Sequence, residues 1–252
     1  MAVPMDTQTS RPDGRSANEV RSLSCSRGLL QRAHGSARWS QDNTIVLAGV
    51  YGPKGGGGFG KKENPERATL EVIWKPKTGQ AGKAEKECEL IVKRTVDYIF
   101  LSAVHPNTIT SIIIQVVNDD GAILACAINA ACAALVDAGI PLRNIVVSVC
   151  CGVRDNGEVI LDPTKAEEQK VQAHVCLVFP CHPLTVVPEG PPTVDNEPLE
   201  HGIISSITHG AMLVDNYLDC LERGRAASSK ISEFIRSSIE QSQRVIDLAT
   251  SS

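Results

Sequence analysis

The hydrophobic and polar positions divide the chain into two successive blocks, each with strands before helices. In the first block, β-branched and alternating runs at residues 43–50, 68–74 and 110–117 predict strands. Apolar residues recur at helical spacing across 84–101, and small apolar residues fill 122–138, so two helices are predicted there.

The second block repeats this order after residue 141. Strands are predicted at 145–153, 158–162, 174–179, 184–187 and 203–207, helices at 211–222 and 226–248, and a Pro-rich connection at 188–198. Strands followed by helices in each block predict an α+β fold with antiparallel pairing rather than a doubly wound sheet. We expect residues 1–10 to be a flexible N-terminus and residues 11–252 to form a single domain.

The charge distribution is uneven along the chain. The net charge is −4 at 252 residues, but residues 11–38 carry six Arg and two acidic residues, and residues 52–86 carry eight basic and four acidic ones. Residues 187–252 instead carry ten acidic and five basic residues. This polarity fits a polyanion on the basic front and a protein on the acidic rear. Solvated charge that clusters by chance is the alternative.

The cysteines and the N-terminus indicate a compartment. Nine cysteines occur, with no Cys-x-x-Cys pair and mostly within apolar runs, so we expect reduced, buried thiols rather than disulfides or a metal site. The first thirty residues lack the apolar segment of a signal peptide, and the chain has no apolar run that spans a bilayer. A soluble, intracellular protein without membrane contact is expected.

The start of the helix at 122–138 has the form of an anion pocket. An acidic turn and Gly121 precede it, Asp119 or Asp120 is predicted to cap it, and its free backbone N–H groups carry the positive end of the helix dipole. Ala122, Ile123 and Leu124 follow, which supply neither a hydroxyl nor a guanidinium. A working phosphate site, a degraded one and an ordinary core helix all fit this pattern.

Basic residues surround two turns of the first block. The loop YGPKGGGGFGKK at 51–62 matches nucleotide motifs only through its glycine run, because Lys62 stands where a P-loop needs Ser or Thr. A loop that contacts a nucleic-acid backbone and a plain hairpin tip remain open. The predicted RNA-binding residues are Lys54, Lys61, Lys62, Arg67, Lys75 and Lys77. Lys83 and Lys86 extend the second group into a helix start.

Three carboxylates follow a predicted strand of the second block. Asp162, Glu167 and Glu168 could hold Mg²⁺ or act as acid and base, or they could be ordinary charge on an exposed turn. The six histidines show no metal-ligand spacing, and neither Gly-x-Ser-x-Gly nor His-Glu-x-x-His occurs. No metal site is predicted.

Five segments together resemble the RNase PH family, and more closely its eukaryotic exosome ring subunits. They are RPDGRSANEVRSL at 11–23, HGSARWSQDNTIVLAGVYGP at 34–53, KECELIVKRTV at 86–96, DDGAILACAINAACAALVDAGIP at 119–141 and VILDPTKAEEQ at 159–169. The resemblance implies an RNase PH-like fold, with duplicated βαβ-type halves, mixed or antiparallel sheets and packed helices. It also implies sister domains that pair, with three pairs closing a six-member ring around an RNA channel.

The same resemblance implies that the family's chemistry is weak or absent here. Active members hold an attacking phosphate at this helix start with a glycine–threonine–arginine run, where this chain has Ala122, Ile123 and Leu124. The shared arginine before the first long helix falls at Ala84, and one of the family's two acids falls near Ala173. No catalytic residue is assigned, and the degenerate candidates are Asp162, Glu167, Glu168, Lys83 and Lys86. The remnant of the phosphate site is Gly121, Ala122, Ile123 and Leu124.

We therefore expect an exosome ring subunit that scaffolds 3′-to-5′ RNA processing and degradation, including that of rRNA, and that binds RNA. The resemblance implies other RNase PH-like subunits and RNA as partners, no required cofactor, and a nuclear, nucleolar and cytoplasmic location. The alternative is a residual phosphorolytic or metal-dependent hydrolytic nuclease on RNA or DNA, possible as a homodimer. Mg²⁺ or phosphate would be needed only in that case.

Overall fold

The computed structural model describes residues 11–55, 66–181 and 202–250, with side chains described as far as residue 240. The strands are β1 (Leu23–Arg27), β2 (Gly35–Gln41), β3 (Thr44–Gly55), β4 (Thr69–Lys75), β5 (Thr108–Asn118), β6 (Val146–Arg154), β7 (Val159–Leu161), β8 (Val171–Pro180) and β9 (Ser205–Gly210). The helices are α1 (Lys83–Ile99), α2 (Ile123–Asp137), α3 (Lys165–Glu168) and α4 (Val214–Thr250).

The strands form two sheets that correspond to the two blocks of the sequence. The first has the order β1-β2-β3-β5-β4 and is antiparallel except where β4 runs parallel to β5. The second has the order β7-β6-β8-β9 and is antiparallel throughout. The fold is therefore α+β with one mixed and one antiparallel sheet, as predicted.

Helix α2 lies between the two sheets and joins them into one core. It packs against β2 and β3 on one side and β6 on the other, and its residues from Ala125 to Leu135 are all buried. Its alanines and cysteines leave room for close approach from both sides. Helix α4 covers β6 and β8 from outside, so β6 is buried on both faces and reads as a continuous apolar run.

The hydrophobic pattern does not predict two of the strands, β1 and β2. β1 and β2 are rich in Ser, Arg and Gly, so propensity does not mark them. They form because β2 buries Ala37 and Trp39 against the core in alternation and pairs with β3 along seven residues. β9 also begins two residues after its predicted start and continues to Gly210.

The prediction of two C-terminal helices is wrong, because α4 continues through Gly224 without a break. Gly224 is buried, and a Cβ placed on it would lie 2.8 Å from Cδ1 of Leu177. The glycine therefore serves close packing of the helix on β8 rather than termination. The other predicted helices and the strands at 43–50, 68–74, 110–117, 145–153, 158–162 and 174–179 are confirmed within a few residues.

Some predictions fall on residues that the structure does not describe, and the prediction for the cysteines is confirmed. Residues 1–10, the strand at 184–187 and the Pro-rich connection at 188–198 lie outside the described residues. All nine cysteines are free thiols, and seven are buried, as predicted. Within the described ranges, no helix is both long and apolar enough to cross a membrane.

Candidate functional site

The start of α2 is built from two residues in the left-handed region. Gly121 has φ +85°, and a Cβ there would lie 2.5 Å from the carbonyl oxygen of Pro163. Ala122 is the N-cap with φ +51° and has no side-chain cap, so the prediction that Asp119 or Asp120 caps α2 is wrong. Asp119 instead accepts a hydrogen bond from the Gly121 N–H within the turn and pairs with Lys165.

The carboxylate of Glu168 lies at the N-cap of α2. Its Oε1 accepts a hydrogen bond from the N–H of Ala122 at 2.7 Å. Burial raises the pKa of Glu168 above its ordinary value; the Ala122 N–H opposes this, and the nearby negative charge of Asp119 adds to it. The dipole end of α2 thus already holds a negative charge supplied by the chain itself.

The turn before α2 is fixed by a buried ion pair between Arg21 and Asp162. The guanidinium donates to Asp162 Oδ2 at 2.9 Å and Oδ1 at 2.6 Å, and their side chains are 1% and 2% exposed. It also donates to the carbonyl oxygens of Asp120 and Gly121, while the Thr44 hydroxyl donates to Gly121 at 2.8 Å. Burial alone would lower the pKa of Arg21, but its bonds and charge contact with Asp162 raise it overall.

A second buried pair joins the N-terminal segment to α3. Arg11 donates to Glu167 Oε1 at 2.8 Å and Oε2 at 2.7 Å, and it reaches the carbonyl oxygens of Leu161 and Asp162. Burial opposes ionisation of Glu167, but the Arg11 bonds lower the pKa of Glu167 below its ordinary value. The interpretation of residues 11–38 as a basic front for a polyanion is therefore wrong for Arg11 and Arg21, which hold the fold together.

The three carboxylates of the second block do not share one role. Asp162 and Glu167 are buried and paired with arginines, so the exposed-turn interpretation is wrong for both. Glu168 turns to the helix start. Among the residues that the structure describes, no group of three or more His, Cys, Asp or Glu side chains could hold a metal ion. The arrangement does not fit Mg²⁺ at this cluster.

A cavity of about 330 Å³ lies between the starts of α1 and α2. Ala84, Glu85, Asp119 and Ile123 contribute to its wall, together with Lys77. Glu85 also caps α1, because its Oε2 accepts the N–H of Gly82 at 2.9 Å. Thr78 adds a hydroxyl to the wall, and its charged groups are the Lys77 ammonium and the carboxylates of Glu85 and Asp119. These charges sum to one negative charge, which opposes the binding of a phosphate.

Four other candidate positions, Lys83, Lys86, Leu124 and Ala173, do not line the cavity. Lys83 and Lys86 are exposed on the first turn of α1, and neither lines the cavity. Ala173, matched to one of the family's acids, is buried within β8 at 1% exposure and has no titratable group. The leucine and isoleucine of the remnant, Leu124 and Ile123, are half-buried.

The predicted RNA-binding residues fall into two groups at opposite ends of the first sheet. Lys54 and Thr69 both pair with Ile109, which places Lys54 and Arg67 at one end. Lys75 pairs with Gln115 at the other end, where the Lys77 ammonium donates to Asn118 Oδ1 at 2.9 Å. Six residues of β4 separate the groups by about 20 Å. Lys61 and Lys62 lie outside the described residues.

Sequence reasoning missed the two arginine–carboxylate pairs and the position of Glu168. Each joins residues separated by 46 to 156 positions along the chain, so no local spacing announces them. The only sequence signal for these pairs is that Arg11 and Arg21 occur in residues 11–38, a segment that was interpreted as a basic surface.

Comparison with known proteins connects this geometry to a family. The domain 1 model of the 3′ exoribonuclease family RNase PH matches residues 19–141. An exosome complex exonuclease RRP46 homolog from Arabidopsis thaliana is 58% identical over 232 residues, covering 92% of this chain and 96% of that relative. The chain belongs to the RNase PH family. A homolog of the same name from Oryza sativa subsp. japonica is 55% identical and covers 93% of this chain and 97% of its own length.

Solved structures agree with membership of the RNase PH family. The crystal structure of rice (Oryza sativa) Rrp46 is 54% identical, has a TM-score of 0.78, and covers 90% of this chain and 99% of its own. A chain of the Archaeoglobus fulgidus exosome with RNA bound to the active site has a TM-score of 0.69 at 19% identity, with coverage of 89% and 92%. At that identity the likeness concerns the fold alone, and it confirms the predicted RNase PH-like fold.

Proposed function

We propose that this RNase PH family chain is a ring subunit of an RNA exosome and has no efficient phosphorolytic activity of its own. Its contribution to 3′-to-5′ RNA processing and degradation, including that of rRNA, is to scaffold the ring and bind RNA. Relatives at 58% and 55% identity carry the name exosome complex exonuclease RRP46 homolog and align along nearly their whole length. Their names support membership of an exosome, and the geometry at the start of α2 supports the loss of phosphorolytic activity.

The observation that carries the loss of phosphorolysis is the Glu168 carboxylate 2.7 Å from the N–H of Ala122. A phosphate that attacks RNA from this position would need the Ala122 N–H as a hydrogen-bond donor. The Glu168 carboxylate already accepts that N–H and would repel the phosphate. Asp119 adds a second negative charge, although Lys165 pairs with it. The side chains that follow, Ile123 and Leu124, give no donor in exchange. Positioning of an attacking anion requires fixed cationic or hydrogen-bond partners, which are missing from this turn.

We further propose the finer identity of a plant-like counterpart of the subunit called exosome component five in animals. Its partners are other RNase PH-like exosome subunits and RNA, and its location is the nucleus and nucleolus as well as the cytoplasm. The similarity to the two plant homologs supports this assignment. The function needs no cofactor, and the basic ends of the first sheet, at Lys54 with Arg67 and at Lys75 with Lys77, are proposed to contact RNA.

The test is a turnover assay with the purified full-length chain. A labelled RNA with a 3′ extension is incubated with and without inorganic phosphate, in Mg²⁺ and in EDTA. We expect RNA binding but no phosphate-dependent release of nucleoside diphosphate at rates of an enzyme, which are typically above about 1 per second. Release at such rates would overturn the loss of phosphorolysis.

The variants Glu168→Gln and Glu240→Gln separate this proposal from a residual nuclease. Glu240 is an exposed residue of α4 and serves as the matched control. Metal-dependent cleavage of RNA or DNA that disappears only in Glu168→Gln would favour the nuclease. Cleavage that is unchanged in both variants would indicate a contaminant, and absence of cleavage in all three proteins supports the scaffold.

A further inference from the structure

Two histidines that are far apart in the sequence lie side by side on the second sheet. His174 on β8 and His209 on β9 are direct cross-strand partners, and their rings stack with centroids 4.9 Å apart and planes inclined by 28°. His174 is half-buried and His209 is exposed, and β9 is an edge strand, so the pair lies at an open edge of the sheet. We call these two residues the imidazole pair.

The backbone around the imidazole pair is held in a fixed register. β9 pairs with β8 along its whole length. Gly210, directly after His209, has φ +89°, and a Cβ on it would lie 2.4 Å from the carbonyl oxygen of Gln172. On the opposite face of β9, the hydroxyls of Ser206 and of Tyr217 on α4 are 2.9 Å apart. Both contacts hold β9 in place, so the two imidazoles are brought together before any ligand arrives.

The two rings have the chemistry of metal ligands. Burial lowers the pKa of His174 below its ordinary value, and the nearby His209 lowers it further. At neutral pH this favours the neutral imidazole, which is the form that binds a metal ion. On its other side His174 pairs with Gly152, which carries no side chain that could occupy the ring nitrogens. The strand arrangement therefore leaves the two imidazoles facing a shared space.

The donor atoms select the class of ion. Imidazole nitrogens suit Zn²⁺, Cu²⁺ and Ni²⁺, whereas Mg²⁺ and Ca²⁺ require oxygen ligands. Two nitrogens bound to one tetrahedral Zn²⁺ lie about 3.3 Å apart, since each Zn–N bond is about 2.0–2.1 Å long. Rings with centroids 4.9 Å apart can reach this separation by turning about their Cβ–Cγ bonds, a torsion with broad energy wells. The strands need not move.

We propose that the imidazole pair binds one divalent transition-metal ion, with Zn²⁺ as the representative of its class, and that this ion fastens β9 to β8. The histidines supply two ligands, and water fills the remaining positions. Such a site is compatible with the described residues, which contain no group of three or more His, Cys, Asp or Glu side chains that could hold a metal. Binding is independent of ring membership, because both ligands belong to this chain.

The edge strand is the element that such an ion stabilises most. Four of the six residues of β9 are exposed, so burial contributes little to its pairing with β8. An ion that binds only when the two strands are paired shifts the equilibrium toward the paired state. Zn²⁺ should therefore slow the exchange of the β9 amide hydrogens with solvent.

The experiment titrates Zn²⁺ alone into the full-length chain by calorimetry, in metal-free buffer with a reductant that contains no thiol. The variants are His209→Asn and His174→Asn, and the matched control is His105→Asn, because His105 is half-buried like His174. Cys88→Ser is a second control, since a partly buried thiol can also bind zinc. We expect the wild type to bind one equivalent, both pair variants to bind at least about tenfold more weakly, and both controls to bind like the wild type.

Each other outcome overturns the site. Absence of zinc binding by the wild type would leave the imidazole pair as a stacked contact alone. Equal affinity in the wild type and His209→Asn, or a loss confined to the controls, would place the ion elsewhere. Binding of Mg²⁺ with the same affinity would exclude imidazole ligands. His209→Asn keeps the test valid if His174→Asn fails to fold, because His209 is exposed. Slower amide exchange of β9 with Zn²⁺ should occur in the wild type and not in His209→Asn.

Discussion

Replacing Arg21 with methionine should destabilise the protein by about 3–5 kcal/mol, because it leaves the Asp162 carboxylate buried without its main cation. Both side chains are at most 2% exposed, so water cannot replace the lost bonds. Methionine fills part of the volume of the arginine stem, and the cost therefore reports mainly the uncompensated charge. Arg15 lies 4.0 Å from the same carboxylate and limits the loss to this range rather than a larger one.

The effect should reach the start of α2. Arg21 also donates to the carbonyl oxygens of Asp120 at 2.8 Å and Gly121 at 3.2 Å. Those acceptors lose a charged donor together with Asp162. For a domain of this size, each 1 kcal/mol lowers the melting temperature by about 2–4 °C, so the variant should melt about 6–20 °C below the wild type.

Urea unfolding followed by circular dichroism gives the free energy of unfolding, and a double-mutant cycle separates the pair. Arg21→Met combined with Asp162→Leu should be more stable than Arg21→Met alone, because the second change removes the stranded charge. Arg38→Met, at an exposed position of β2, is the matched control and should change stability by less than about 0.5 kcal/mol. A loss below about 1 kcal/mol in Arg21→Met would refute the reasoning.

Three further outcomes follow from the same structure. Gly35→Ala should cost at least about 3 kcal/mol in urea unfolding, because its Cβ would lie 2.2 Å from the backbone nitrogen of Ala138; a neutral result would contradict the packing of β2 on α2. Glu167 has a lowered folded pKa, so its stabilisation is present above its ordinary pKa of 4.5 and is lost as pH falls through the folded value. Stability measured from pH 7 to 3 should therefore fall less steeply in Glu167→Gln than in the wild type. Native protein should expose at most Cys25 and Cys88 to a thiol reagent, with Cys88 slow at neutral pH because burial and nearby glutamates raise its pKa to about 11. Fast labelling of more than two thiols before unfolding would show that the buried cysteines are accessible.

The spacing of apolar residues predicts those helices and strands whose buried positions can be recognised within one continuous segment of the sequence. β5 alternates buried and half-buried residues, and α2 is apolar on all sides because it lies between two sheets. β1 and β2 carry polar residues, and only the edge formed by β3 makes them strands. The helices predicted at 211–222 and 226–248 left a break around Gly224, although the close contact with Leu177 is what requires this glycine. The local sequence gives the intrinsic preference for helix or strand, and packing against a distant strand decides where this preference is overridden.

For the candidate site, the sequence by itself determined which groups are missing. Ala122, Ile123 and Leu124 stand where the family's phosphate contacts would lie, and no folding can give these side chains a guanidinium or a hydroxyl. Only the tertiary structure decided what replaces them. It brings Glu168 to the Ala122 N–H across 46 residues and buries Arg21 beside Asp162 across 141. The reason is physical: donor and acceptor types are fixed by composition, but their pairing in a low-dielectric interior depends on which distant segments the two sheets and α2 place side by side.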